Sequence, residues 1–123
     1  MRVLIVEDSR AMRAIISRIF EKLGAVTCPA VNGQDGLDLL AKDSNFDLAL
    51  VDWNMPKLNG LEFVRAVRSN DAYSNIKLMM ATTETEIERV MQALEEGADE
   101  YVMKPFTKEI LADKLRLLGL LDD

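Results

Sequence analysis

Five short apolar runs, each followed by a polar break and a stretch with helical spacing, constrain this chain more than any other feature. The runs lie at Val3 to Val6, Ala25 to Cys28, Leu48 to Val51, Leu78 to Ala81 and Tyr101 to Met103. Several are apolar without alternation, the pattern of strands covered on both faces. Between them, Met12, Ile15, Ile16, Ile19, Phe20 and Leu23 step by three and four residues and so share one helix face. Leu37, Leu40 and Ala41 repeat the spacing, as do Phe63, Val64 and Val67, and then Ile87, Val90, Met91 and Leu94. Ser9 reads as an N-cap, and Gly24 and Gly97 follow helices where a C-terminal glycine belongs. Thr83 with Glu86 fits a capping box for the fourth helix. A last helix is expected over about Thr107 to Leu118. It is apolar around more of its girth (Ile110, Leu111, Leu115, Leu117, Leu118), so it either packs deeply or offers part of that surface to a partner. Strand and helix alternating five times imply an α/β fold: a doubly wound parallel five-stranded sheet with right-handed crossovers and helices on both faces.

Composition removes most alternatives. At 123 residues the chain fits one domain, 1–123, large enough to bury a substantial core. The first acids arrive after only four consecutive apolar residues, too few for a signal peptide or a membrane span. A cytoplasmic protein without membrane insertion is therefore expected. A net charge of −6 argues against a basic nucleic-acid face. The single cysteine, Cys28, excludes an internal disulfide and any CxxC site and reads as a small strand or core residue. There is no histidine, so Ser–His and Cys–His catalysis and histidine zinc sites are excluded. Any chemistry must run on carboxylates, hydroxyls, lysine and a hard metal ion.

In open parallel α/β sheets the binding crevice lies beyond the carboxyl ends of the strands. The polar residues found there are Glu7 and Asp8 after the first run, Asp52 and Asn54 after the third, Thr82 and Thr83 after the fourth, and Lys104 with Pro105 after the fifth. Each alone has a plain structural reading as a strand end or cap. Together, three acids, a hydroxyl and a lysine at four strand ends point to a site. Two carboxylates about 4 Å apart repel by roughly 4 kcal/mol at an effective dielectric near 20. Lys104 supplies one positive charge against three negative ones, and a hard divalent ion with oxygen ligands, most naturally Mg²⁺, makes up the difference. Such an ion neutralises an incoming phosphoryl group while a carboxylate attacks it.

The stretches "VLIVEDSRAMR", "LVDWNMPKLNGLEF", "MMATTE" and "YVMKPFT", in this order and approximate spacing, resemble response-regulator receiver domains, specifically the stand-alone, CheY-like chemotaxis type, over essentially the whole chain. The resemblance implies the flavodoxin-like strand order 2-1-3-4-5, which sets the first and third strands side by side. It implies that Asp52 is the phosphoacceptor, that Asp8 ligates Mg²⁺ directly, that Glu7 acts mainly through bound water, and that Asn54 offers its backbone carbonyl to the metal. It further implies that Thr82 moves to hydrogen-bond the phosphoryl group, that Lys104 pairs with it across a cis Lys104–Pro105 bond, and that the burial of Tyr101 couples to the position of Thr82. Gly60 fits the turn after the third strand. Glu7 stands where many members carry Asp, and Asn59 where Asp is common before the glycine. Trp53, Asn54 and Glu84 match the chemotaxis type.

The function so implied is that of a phosphorylation-activated signalling switch of a two-component system rather than a conventional enzyme, one that assists its own phosphorylation and dephosphorylation. A histidine kinase supplies the phosphohistidine, a phosphatase is a further partner, and a changed face of the fourth helix, fifth strand and fifth helix binds a downstream protein. With the chain ending at Leu121-Asp122-Asp123, no output domain is expected, and a flagellar motor switch is the nearest analogy for the target. A phosphorelay intermediate or a regulator of another enzyme stays open. A Mg²⁺-dependent phosphatase with an aspartyl nucleophile is a distant alternative, because such enzymes carry a second Asp two residues on as general acid and Asn54 cannot shuttle that proton. Flavodoxin-like cofactor binding is more distant, since Glu7 and Asp8 repel a phosphate where those proteins hold one.

Overall fold

The computed structural model of the chain describes every residue except Asn54, Pro56, Lys57 and Asp123, and the side chain of Glu84. Strands and helices alternate as β1 (Arg2–Val6), α1 (Arg10–Lys22), β2 (Val26–Ala30), α2 (Gly33–Lys42), β3 (Leu48–Asp52), α3 (Gly60–Arg68), β4 (Lys77–Thr82), α4 (Ile87–Glu95), β5 (Glu100–Met103) and α5 (Lys108–Leu117). Single 3₁₀ turns occupy Asp71–Tyr73 and Glu84–Glu86. All neighbouring strands are parallel, in the order β2-β1-β3-β4-β5, as expected. Hydrophobic burial on both faces of β1, β3 and β4 explains their unbroken apolar runs.

Strand alternation divides the core into two layers. Leu4, Val6, Ala49, Val51, Leu78 and Met80 pack under Leu40 of α2, Phe63, Val64 and Val67 of α3, and Val90 and Ala93 of α4. Val3, Ile5, Leu48, Leu50, Met79, Ala81 and Val102 pack under Ile16 and Phe20 of α1 and Leu111 and Leu115 of α5. At the edge, β2 is less covered: Val26 is exposed, Cys28 is half-buried, and Pro29 removes a strand donor. Pro at an edge strand blunts pairing with another chain.

The helix ends follow the expected chemistry with two exceptions. Ser9 caps α1 through the Met12 N–H, and Thr107 caps α5 through the Ile110 N–H. Gly24 and Gly97 adopt φ of 87° and 127°, which a side chain rarely tolerates. The expected capping box of Thr83 and Glu86 does not form. A 3₁₀ turn intervenes, α4 begins at Ile87, and the Thr83 hydroxyl instead donates to the Glu86 carboxylate at 2.7 Å. The buried face of α4 also differs: Val90 and Ala93 are buried, with Ile87 and Leu94 half-buried beside them, so the core-facing side steps 87-90-93-94 and leaves Met91 exposed at its margin.

Gly60 is not a turn residue but the first residue of α3, behind Asn59, which forms a full capping box with Glu62. Glycine is required there for space. A Cβ on Gly60 would lie 2.8 Å from Met80 Cε and 2.9 Å from Trp53 Cε3. Gly60→Ala is thus expected to cost about 1–3 kcal/mol in urea unfolding and, because the added Cβ crowds the Trp53 indole, to shift the tryptophan emission. An unchanged midpoint and spectrum would show that the α3 start is loose.

Candidate functional site

The carboxyl ends of β1, β3, β4 and β5 meet at one edge of the molecule. Val6 pairs with Val51, so Glu7 lies alongside Asp52, and Thr82 pairs with Met103, so Lys104 follows at the same level. Backbone bonds carry the ladder one step further, from Glu7 N–H to Ala30, Trp53 N–H to Ala81 and Lys104 N–H to Thr82. By alternation Glu7, Asp52 and Lys104 all leave their strands on the side of α1 and α5, and Glu7 and Asp52 line a crevice floored by Ile5, Leu50 and Ala81 and walled by Ile16 of α1. The Lys104–Pro105 peptide bond is cis.

Four of the expected residues form one charged cluster. Carboxylate oxygens of Glu7, Asp8 and Asp52 all lie within 4.8 Å of one another. Lys104 Nζ donates to Asp52 Oδ1 at 2.6 Å and to Glu7 Oε1 at 3.1 Å. Glu7 and Asp52 are 2% and 9% exposed, whereas Asp8 opens to solvent. Burial would lower the Lys104 pKa, but hydrogen bonding to Asp52 and the charges of Asp52 and Glu7 outweigh it, and the ammonium is held above its usual value. A hydrogen bond shared with Glu7, then desolvation, then the Glu7 charge push the Asp8 carboxyl above the ordinary range. Three carboxylates and one ammonium leave a deficit of two positive charges. An all-oxygen donor set with few protein ligands and an open solvent side suits a hard divalent cation of the Mg²⁺ type.

Glu7 is more occupied than a free metal ligand. Its second oxygen, Oε2, accepts the Ser9 N–H at 3.1 Å, so both carboxylate oxygens already have protein partners. The Thr82 hydroxyl is not in the cluster: this buried residue leaves β4 on the opposite side of the sheet and donates to the Thr83 carbonyl at 3.1 Å. Tyr101 is half-buried on that same side. Asn54, expected to offer its carbonyl, lies outside the described residues, as does the side chain of Glu84.

Arg13 was not singled out by sequence. From the second turn of α1 it folds back, and one guanidinium nitrogen donates to the carbonyls of Glu7 and Asp8 at 2.8 and 3.1 Å, tying the β1–α1 turn to the helix that follows it. No spacing rule announces such a contact, because a basic residue on an exposed helix turn has many equivalent directions.

Comparison with known proteins agrees with this geometry. Residues 3–116 match the response regulator receiver domain family. A chemotaxis protein CheY homolog of Campylobacter jejuni is 40% identical over 116 residues, covering 94% of this chain and 89% of that protein. The chemotaxis protein CheY of Pseudomonas aeruginosa is 36% identical, with 94% and 93% covered. Among solved structures, Vibrio cholerae chemotaxis protein CheY4 superposes with a TM-score of 0.86 at 34% identity, over 94% of this chain and 96% of that one. With strand order, acidic cluster and sequence in agreement, the chain belongs to the response regulator receiver domain family, the phosphorylation-activated switches of two-component signalling.

Proposed function

We propose that Asp52 accepts a phosphoryl group from a phosphohistidine on a partner histidine kinase, and that this changes the face made by α4, β5 and α5 for binding a downstream protein. The reading rests on one observation, the meeting of Glu7, Asp8, Asp52 and Lys104 within contact distance at the strand ends. An Asp52 carboxylate oxygen attacks phosphorus, the P–N bond to the donor imidazole breaks with its electrons left on nitrogen, and an aspartyl phosphate anhydride forms. Water later attacks the same phosphorus and returns the free carboxylate, so the domain assists both steps without acting on a separate substrate. Mg²⁺ held by this cluster would supply positive charge to offset the phosphoryl oxygens. Asp8 and Asp52 would hold it directly and Glu7 mainly through water, a role in keeping with the protein partners already on both Glu7 oxygens; the carbonyl of Asn54, outside the described residues, is the further ligand that the family resemblance implies.

Lys104, already on Asp52, follows the new oxygens. Thr82 exchanges its bond to the Thr83 carbonyl for a charge-assisted one to the phosphoryl group, which is stronger than the neutral bond it gives up. Thr82 and Tyr101 share one face of the sheet, and movement of the hydroxyl makes room for the ring to turn inward. Such a shift needs only a few kcal/mol of differential stabilisation. Exposed Met91 on α4 and Ile110 on α5 give the output face apolar contact points.

The relatives' names favour chemotaxis as the pathway, with a phosphorelay intermediate or a regulator of another enzyme as the other readings and a phosphatase as a further partner. We place the protein in the cytoplasm as a single receiver unit over 1–123; among the described residues no helix is long and apolar enough to cross a membrane.

Incubation with acetyl phosphate and Mg²⁺ should add about 80 Da by intact mass, the weight of one phosphoryl group, and Asp52→Asn should abolish the gain; a gain that survives moves the acceptor elsewhere. Chelation should stop the reaction while circular dichroism stays unchanged, and Mg²⁺ titration should alter the fluorescence of the buried Trp53. A flat titration would argue against a metal at Asp52. Asp8→Asn should weaken Mg²⁺ binding yet stabilise the metal-free domain. Because the folded-state pKa of Asp8 is raised, its ionisation costs stability, a cost absent below the unfolded pKa and complete once pH has risen through the folded one. Solvent screening at exposed Asp8 keeps the gain to about 0.5–1 kcal/mol, a few degrees in Tm, and the gain should shrink as pH falls into the carboxylate range. An advantage that grows on acidification contradicts this electrostatic account.

A further inference from the structure

At the free edge of the sheet, three side chains from β5 and α5 converge away from the charged cluster. Tyr101 packs with the layer under α2, α3 and α4, whereas α5 is seated on the opposite layer through Leu111 and Leu115. Lys114 of α5 connects the two. Its ammonium rounds the β5 edge and lies 4.5 Å from the centroid of the Tyr101 ring. The same ammonium donates to Glu100 Oε1 at 3.2 Å, and that oxygen also accepts the Tyr101 backbone N–H at 3.0 Å. Since β5 is an edge strand, this N–H is met by a side chain instead of a further strand. The Lys114 and Glu100 side chains are 25% and 19% exposed, so the cation is partly desolvated over the ring, the condition that strengthens a cation–π contact. The β4–β5 register pairs Met80 with Tyr101 and Thr82 with Met103, which makes Tyr101 and Thr82 diagonal neighbours on one face.

We propose that Lys114, anchored by Glu100, is a positioning residue for Tyr101: it holds the ring at the sheet edge and opposes the inward turn that accompanies phosphorylation. The proposal rests on the reading of Tyr101 as the aromatic coupled to Thr82. The ammonium cannot follow the ring inward, because its helix is fixed in the other layer and its carboxylate partner is tied to the β5 backbone. The contact therefore exists in only one of the two ring positions, and a contact made in one state alone biases the equilibrium toward it. Removing the charge raises the inward population roughly two- to fivefold. Lys114→Met keeps the stem and removes the cation, Glu100→Gln releases the anchor, and Lys114→Arg keeps a cation for both partners.

Fluorine NMR on protein carrying 3-fluorotyrosine at Tyr73 and Tyr101, the two tyrosines of the chain, reads the ring directly, with Tyr73→Phe for assignment. In the wild type, beryllofluoride with Mg²⁺ should move the Tyr101 resonance toward its inward position. Without beryllofluoride, Lys114→Met and Glu100→Gln should each move it part of the way in the same direction, while Lys114→Arg leaves it in place. A resonance unmoved in Lys114→Met and Glu100→Gln, both folded by circular dichroism, while beryllofluoride still moves the wild type, overturns the proposal and leaves the switch reading standing. A wild-type resonance indifferent to beryllofluoride overturns both, since Tyr101 then has no inward state for Lys114 to oppose.

Discussion

The two hydrogen bonds from the Lys104 ammonium, one to Asp52 and one to Glu7, are the contacts on which the rest of the site depends. Carboxylates at this spacing repel one another, and a carboxylate with little solvent around it has few ways to offset that repulsion. One ammonium relieves part of it and leaves a charge that a divalent cation completes. A fold that brings those groups together must align several strand ends at one level. A parallel sheet does so, because each strand returns to the same edge after its crossover helix. The buried apolar runs of β1 and β3 thus hold Glu7 and Asp52 in register, and their stability is spent against the repulsion at their ends.

The sheet also separates chemistry from readout. Glu7, Asp52 and Lys104 leave their strands on the side of α1 and α5, while Thr82 and Tyr101 face the layer of α2, α3 and α4. In the proposed switch, a charge added on one side is felt on the other because Thr82 ends its strand beside the neighbours of Asp52. β4 and β5 therefore form the coupling element. Tyr101 meets α5 through Lys114 around the sheet edge, which links both layers at the proposed output face.

Much of this was legible in sequence because it rests on local rules. Continuous apolar runs marked β1, β3 and β4; Ser9, Gly24 and Gly97 marked helix ends; the position of polar residues after strands marked Glu7, Asp8, Asp52 and Lys104. The failures are equally physical. Thr83 and Glu86 have the spacing of a capping box, but a 3₁₀ turn took the chain first and paired the two side chains with each other. Met91 fits the apolar period of α4, yet the sheet covers the narrower side centred on Val90 and Ala93 and leaves Met91 exposed. Gly60 looks like a turn glycine and is a packing glycine against Trp53 and Met80. Arg13 on the Glu7 and Asp8 carbonyls, and Lys114 on Tyr101, depend on tertiary placement of long flexible side chains, which no local spacing encodes.

The central claim is that one oxygen among this cluster becomes an anhydride. Borohydride reduces an aspartyl phosphate to homoserine, so reduction of the phosphorylated protein followed by tandem mass spectrometry reads the acceptor residue by residue. The account predicts homoserine at position 52 and nowhere else, formed only when Mg²⁺ is present during phosphorylation. Homoserine at Asp8, or at an acid remote from the strand ends, would contradict it.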